Sequence, residues 1–143
     1  MSDSITYRVD VQITAPVNPT EVEARVAEAI QRLFPNAEPE LRHGELVAEV
    51  HDMERFSELL HRQEILDTVR STLFSNREGD TTAFDLKKQA AYEGRVNVAV
   101  GEPAELGDLH VRVRVEDPDF ETYVDHVAPP TEDGVPVDRT EDR

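Results

Sequence analysis

Two runs of strict alternation constrain this chain more than any other feature. Near one end Ile5, Tyr7, Val9, Val11 and Ile13 interleave with Thr6, Arg8, Asp10 and Gln12. Near the other, Leu109, Val111, Val113 and Val115 interleave with His110, Arg112 and Arg114. A period of two belongs to strands with one buried and one open face, and a slip of one residue would carry every apolar side chain into water. The chain is therefore expected to build a sheet that is covered on one side only.

The intervening sequence supplies the cover. Asn18-Pro19-Thr20-Glu21 reads as an N-cap, a first-turn proline and an acid at the third helical position, ahead of the stripe Val22, Val26, Ile30 and Leu33, and Pro35 ends that helix. Residues 38–42 and 45–51 read as a hairpin around His43-Gly44. After Asp52, Phe56 and Leu60 define one helical face, whereas Leu66, Val69 and Leu73 fall about 100° away on a straight helix, which predicts a break at 62–64. Strands are predicted at 82–88, 96–100 and 109–115, followed by a short helix bearing Phe120, Tyr123, Val124 and Val127. The order β-α-β-β-α-α-β-β-β and the alternation point to an α+β, two-layer sandwich whose mostly antiparallel sheet carries helices on one face. A single domain over 1–128 is expected, with an acidic, proline-rich disordered tail over 129–143.

Charge separates the remaining possibilities. With 31 acidic and 15 basic residues the net charge is −16, which fits a halophile's surface, a disordered acidic chain or a mimic of nucleic acid. Clean apolar periodicity argues against disorder, and acids spread over every segment do not form a phosphate-like row. A halophile's surface is the favoured reading, because in molar salt the Debye length is about 3 Å and self-repulsion is largely screened. No cysteine is present, so thiolate chemistry and cysteine-rich metal sites are excluded. No run approaches the ~20 apolar residues of a membrane span, and no signal-peptide pattern opens the chain, so a cytoplasmic location without membrane attachment is expected.

Against this acidic background Lys87 and Lys88 are the only lysines, side by side before Gln89-Ala90-Ala91. Together with Arg112 and Arg114 on the open side of a strand, and Arg70, they are the candidate RNA contacts, since a guanidinium fork bonds two phosphate oxygens at once. The competing reading pairs the arginines with Asp10, Glu49 or Asp85 across the same face, or Arg70 with a neighbouring acid. Catalytic signals are weak. Gly94, Gly101 and Gly107 are too dispersed for a phosphate loop. His43, His51, His61, His110 and His126 show no metal-ligand spacing on one helix, and no serine or threonine sits in a recognisable nucleophile arrangement. The chain reads as a non-enzyme with no cofactor, no metal and no evident small-molecule substrate.

One resemblance sharpens this reading. Arg62, Gln63, Ile65, Leu66, Asp67 and Arg70, then Leu86, Lys88, Gln89, Ala90, Ala91 and Gly94, then Leu106-Gly107-Asp108, resemble in order and spacing an archaeal family catalogued as RNA-binding, also described as coenzyme A kinase operon proteins. Lys87 stands where the family pattern has Asn, and His126 where it commonly has Trp. The resemblance implies a fold like the large-subunit ribosomal protein that contacts the small RNA of the central protuberance, and hence an RNA partner. At high salt such binding would have to rely on hydrogen bonds, shape and stacking, since each phosphate contact weakens log affinity by about 0.9 per decade of salt. The alternative is a protein-interaction or regulatory module that partners a coenzyme A biosynthesis kinase. A homodimer through an uncovered sheet edge or face is also expected.

Overall fold

The computed structural model describes residues 6–101, 106–132 and 135–136. Both alternating runs are strands: β1 spans Arg8–Pro16 and β5 spans Asp108–Asp117, paired antiparallel from Thr14 opposite His110 to Arg8 opposite Asp117. The remaining strands of this sheet are β2 (Glu40–Arg42), β3 (Glu45–Val50) and β4 (Thr81–Lys87). They complete a five-stranded, wholly antiparallel sheet in the order β2-β3-β1-β5-β4. The β2–β3 turn is the expected one. His43 (φ 52°) and Gly44 (φ 84°) both lie in the left-handed region, the geometry that matches the twist of a two-residue hairpin.

One face of the sheet is dry. Val9, Val11, Ile13, Leu46, Val50, Phe84, Leu86, Leu109, Val111 and Val113 are all buried, and they join one core with the apolar stripes of the helices. Those helices are α1 (Glu23–Leu33), α2 (Glu54–Gln63), α3 (Leu66–Ser75), the short α4 (Lys88–Tyr92) and α5 (Phe120–Val127). The fold is the two-layer α+β arrangement that the alternation predicts. The helix break also falls where the change of face requires it. Glu64 is left-handed (φ 58°), and its amide and that of Ile65 donate to His61 O and Leu60 O at 3.2 and 3.1 Å, closing α2 before α3 starts on a new face. Two core hydroxyls are satisfied across elements: Ser57 Oγ donates to Val127 O (2.7 Å) and Thr82 Oγ1 to Leu73 O (2.8 Å).

Three local expectations differ from the structure. Asn18-Pro19-Thr20-Glu21 is a turn, not a helix start; α1 begins at Glu23, and the Glu21 carboxylate accepts from the Asn18 amide at 3.0 Å. Lys88 does not end a strand but opens α4, a helix the sequence reading missed. Residues 96–100 touch β4 only through a Leu86–Val98 bridge, with Lys87 N–H donating to Asn97 O and Ala99 N–H to Asp85 O, each at 2.8 Å. At the Val96 end a longer ladder is blocked, because both backbone groups of Val96 are held by the Gln63 side chain. Beyond 128, Thr131–Glu132 pairs with Val135–Pro136 as β6 and β7. The rest of the expected tail, 133–134 and 137–143, lies outside the described residues.

Candidate nucleic-acid interface

The uncovered face of the sheet is read row by row from the register. One row runs Glu40, Val47, Thr14, His110, Asp85; the next Glu49, Gln12, Arg112, Ala83; the third Asp10, Arg114, Thr81. Cations and acids alternate, so the face is a mosaic and not a uniformly basic plate. Arg114 lies 3.8 Å from Asp10 Oδ2 and 3.5 Å from Glu116 Oε2, and Arg8 lies 3.7 Å from both Glu116 and Asp117. The expected cross-strand pairing with Asp10 is therefore present. Arg112 differs. Its row neighbours are Gln12 and Ala83, it is exposed, and among the described residues no carboxylate reaches it. Lys87 opposes Asp108 in the register and is also exposed, without an ion pair among the described residues.

Lys88 occupies a different environment, and as an RNA contact it is corrected by its burial. Its side chain is 3% exposed, and Nζ donates to Pro16 O and Leu106 O at 2.8 Å and to the two oxygens of Glu21 at 3.0 and 3.2 Å. Every donor of the ammonium is used within the protein. Glu21 also receives the Asn18 amide side chain (3.1 Å) and the Tyr92 hydroxyl (3.1 Å). Burial alone would raise the Glu21 pKa, but hydrogen bonds from Asn18 and Lys88 and the ammonium charge outweigh it and hold the carboxyl below its ordinary range. Burial, then the hydrogen bond to and charge of Glu21, push Tyr92 up to about 12. This latch joins the end of β1, the turn before α1, α4 and the approach to β5. Gly107 (φ 86°) belongs to the same junction, where a Cβ would overlap the Pro16 ring.

Arg70 is likewise committed: Nη1 donates to Asp125 Oδ1 (2.7 Å) and Ala128 O (3.0 Å), and the guanidinium lies over the Phe74 ring. It fastens the end of α5 to α3 and stays largely covered. Gln63 donates to Val96 O and accepts from Val96 N, both at 2.8 Å, imitating a strand neighbour. Asp67 accepts from Thr131 Oγ1 at 2.6 Å, and Gly94 (φ 74°) supplies the left-handed residue after α4. Arg62 and Gln89 are exposed. Most residues that carry the family resemblance thus hold elements together, and Arg112 and Lys87 are the proposed contacts that the fold leaves open.

The cross-strand neighbours were not legible in sequence spacing. Asp10, Glu49 and His51 come from β1 and the end of β3, with one ligand-type atom from each within 4.8 Å of the others. His51 Nδ1 already faces Val9 O at 3.1 Å and Asp10 Oδ1 at 3.2 Å, and Arg114 flanks the same aspartate. Asp85 and His110 pair across β4 and β5 at 2.7 Å. Only the register brings such residues together, and a single sequence offers no signal for it beyond the alternation.

A family model described as RNA binding matches residues 10–116. A UPF0201 protein of Methanopyrus kandleri is 40% identical over an alignment of 144 positions that covers 89% of this chain and 89% of that one. An Archaeoglobus fulgidus protein named UPF0200/UPF0201 is 38% identical over 130 residues, 90% of this chain but 40% of its own length. The chain thus spans less than half of that relative. Among solved structures, a UPF0201 protein from Methanococcus jannaschii superposes with a TM-score of 0.82 at 33% identity, covering 90% of this chain and 99% of that one. An Archaeoglobus fulgidus structure of the family model DUF54 gives a TM-score of 0.63 at 26% identity, covering 85% of this chain and 95% of that one. No helix among the described residues is long and apolar enough to cross a membrane.

Proposed function

Because this chain belongs to the archaeal UPF0201 family, whose model is described as RNA binding, we propose that it is a non-enzymatic RNA-binding protein of a halophile that meets structured RNA with the uncovered face of its sheet. The observation that carries the reading is Arg112, an exposed guanidinium near the middle of that face with no acid to neutralise it among the described residues. In a chain of net charge −16, a guanidinium left without an acid partner has its bidentate donors free for phosphate. Lys87 extends the surface at one end of β4, and Arg114 contributes once its acid partners are displaced or screened. Lys88 and Arg70 act at a distance from RNA, by fixing the elements that present the face.

The acidity sets the mode of binding. Each neutralised phosphate weakens log affinity by about 0.9 per decade of salt, so several contacts made by charge alone would be lost in molar salt. Hydrogen bonds and shape must supply the remainder. Fluorescence titration against ribosomal and transfer RNA in molar potassium chloride tests the reading. Saturable binding that weakens at least tenfold in Arg112→Glu supports it, and absence of saturable binding to either RNA overturns it.

A second reading is favoured by the Archaeoglobus relative, in which a region like this chain makes up 40% of a longer protein. Fusion places the domain beside another polypeptide, as expected of a module that regulates a partner such as a kinase. Pull-down at native salt separates the two: a stoichiometric protein retained after nuclease treatment favours the module, and material lost with nuclease favours RNA.

A further inference from the structure

We propose that the groove along the outer edge of β4 receives one unstacked nucleotide of the bound RNA, its base or ribose bonded by the strand edge and its phosphate by Arg112. This inference rests on the RNA-binding reading and names the site within it. The edge is unusual in what it leaves unpaired. Thr81 N–H donates to Glu78 O at 3.1 Å and Lys87 N–H to Asn97 O at 2.8 Å, so the odd-numbered residues of β4 point their backbone groups away from β5. Between those two anchors lie Ala83 and Asp85. Their carbonyls are taken, Ala83 O by Asn76 Nδ2 (2.8 Å) and Asp85 O by Ala99 N–H (2.8 Å). Their two N–H groups meet no acceptor among the described residues.

Those donors face a concavity of about 340 Å³ between α3 and residues 98–100, lined among others by Ser71, Ser75, Asn76, Asp85, Val98 and His110. The volume lies at the lower end of small-molecule sites, suited to a single nucleotide unit. Its chemistry selects the occupant. An added peptide strand needs donors and acceptors in alternation, and here the acceptors are already used. A phosphate inside the groove would meet Asp85 and no Lys or Arg among the described residues, because none of them lines it. An uncharged group rich in acceptors satisfies both free N–H groups, and base carbonyls, ring nitrogens and ribose oxygens have that character.

Serine hydroxyls one helical turn apart on α3 donate or accept as required, and Val98 and the exposed Val100 offer an apolar flank for the base plane. His110, fixed by Asp85 at 2.7 Å, closes the side toward β5. Arg112 stands directly opposite Ala83 in the β4–β5 pair, about 5 Å away between Cβ atoms, and the small Ala83 leaves the path between them open. The free cation thus stands one strand in from the groove, on the uncovered face, on the path of a phosphate that leaves the groove past Ala83. Binding through neutral donors also withstands the screening that removes charge-only contacts at high salt.

The test fills the groove. Ser75 is exposed on α3, so Ser75→Trp occupies the space without disturbing the core, and its melting temperature is checked beside the parent. Expected results are that adenosine or uridine 5′-monophosphate shifts the Ala83 and Asp85 amide resonances of the parent in molar potassium chloride, that Ser75→Trp loses these shifts, and that its RNA affinity falls at least tenfold with unchanged melting. Full RNA affinity in Ser75→Trp overturns the groove and leaves the RNA-binding reading standing. Amide shifts from an extended peptide but not from mononucleotides overturn it in favour of strand addition. No RNA binding by the parent overturns both.

Discussion

Replacing Lys88 by Met removes the ammonium and keeps most of the stem, so what is lost is the latch. The Glu21 carboxylate, 6% exposed, would remain charged without its cation, and Pro16 O and Leu106 O would lose donors at 2.8 Å. Removing one partner of a buried pair costs about 3–5 kcal/mol, because the other charge stays buried and uncompensated. For a domain of this length that lowers the melting temperature by roughly 10–15 °C. Lys87→Met, one residue away on the open face, should change stability by no more than about 0.5 kcal/mol. Thermal unfolding of both variants in molar potassium chloride measures the contrast, and high salt should preserve it, since buried pairs are screened far less than exposed ones. Adding Glu21→Gln to Lys88→Met should recover part of the loss by removing the orphaned charge. Equal melting of the Lys87 and Lys88 variants, or a Lys88 deficit that vanishes in molar salt, would refute the reasoning.

Gln63→Ala deletes both hydrogen bonds to Val96 and should cost about 1–3 kcal/mol, with chemical denaturation as the assay and faster amide exchange near Val96 as the local signature. The depressed Glu21 pKa gives a contribution that is present above the ordinary carboxylate value and is lost as pH falls through the lowered folded value; acid unfolding of Lys88→Met against the parent should therefore show a smaller stability difference below that window. At the alkaline end the sign reverses. Tyr92 is raised from an ordinary 10 to about 12, so between those values the unfolded chain releases its proton first and stability falls, a slope that Tyr92→Phe should reduce. Lowering salt from about 1 M to about 0.01 M lengthens the screening distance from about 3 to about 30 Å, and with a net charge of −16 the melting temperature should drop markedly; indifference to salt would overturn the halophile reading.

The elements legible in the sequence were those whose signal is local. Alternation located β1 and β5, the apolar face change located the break at Glu64, and His43-Gly44 located the hairpin. The failures share one cause, a side chain whose partner lies far along the chain. Asn18 to Glu21 has the spelling of a helix cap, but its carboxylate faces Lys88, 67 positions on. The strand expected at 96–100 is cut short at Val96 by Gln63, 33 positions earlier. Local propensity cannot weigh such bonds, because each is worth more than the preference it overrides. The same limit governed the candidate site: the register of β4 on β5 decides that Arg112 faces Ala83 and that Arg114 has an acid across the neighbouring pair.

The contrast between the two lysines shows how a residue's rarity should be read in an acidic protein. A surplus of carboxylates stabilises any exposed cation only slightly, since exposed pairs are worth about 0–1 kcal/mol, so ion pairing at the surface gives no stability reason to keep a lysine there. A buried site is more exacting. Lys88 Nζ meets two carbonyls and a carboxylate converging from three segments, a compact arrangement that suits an ammonium on a flexible stem and not a planar guanidinium fork. Lys88→Arg therefore provides the sharper discrimination: it preserves charge yet should destabilise by a large part of the Lys88→Met loss, whereas Lys87→Arg should leave both stability and RNA affinity near the parent values. Should Lys88→Arg melt with the parent while RNA affinity falls, the lysine would be acting on RNA after all, and the division between residues that build the face and residues that use it would have to be redrawn.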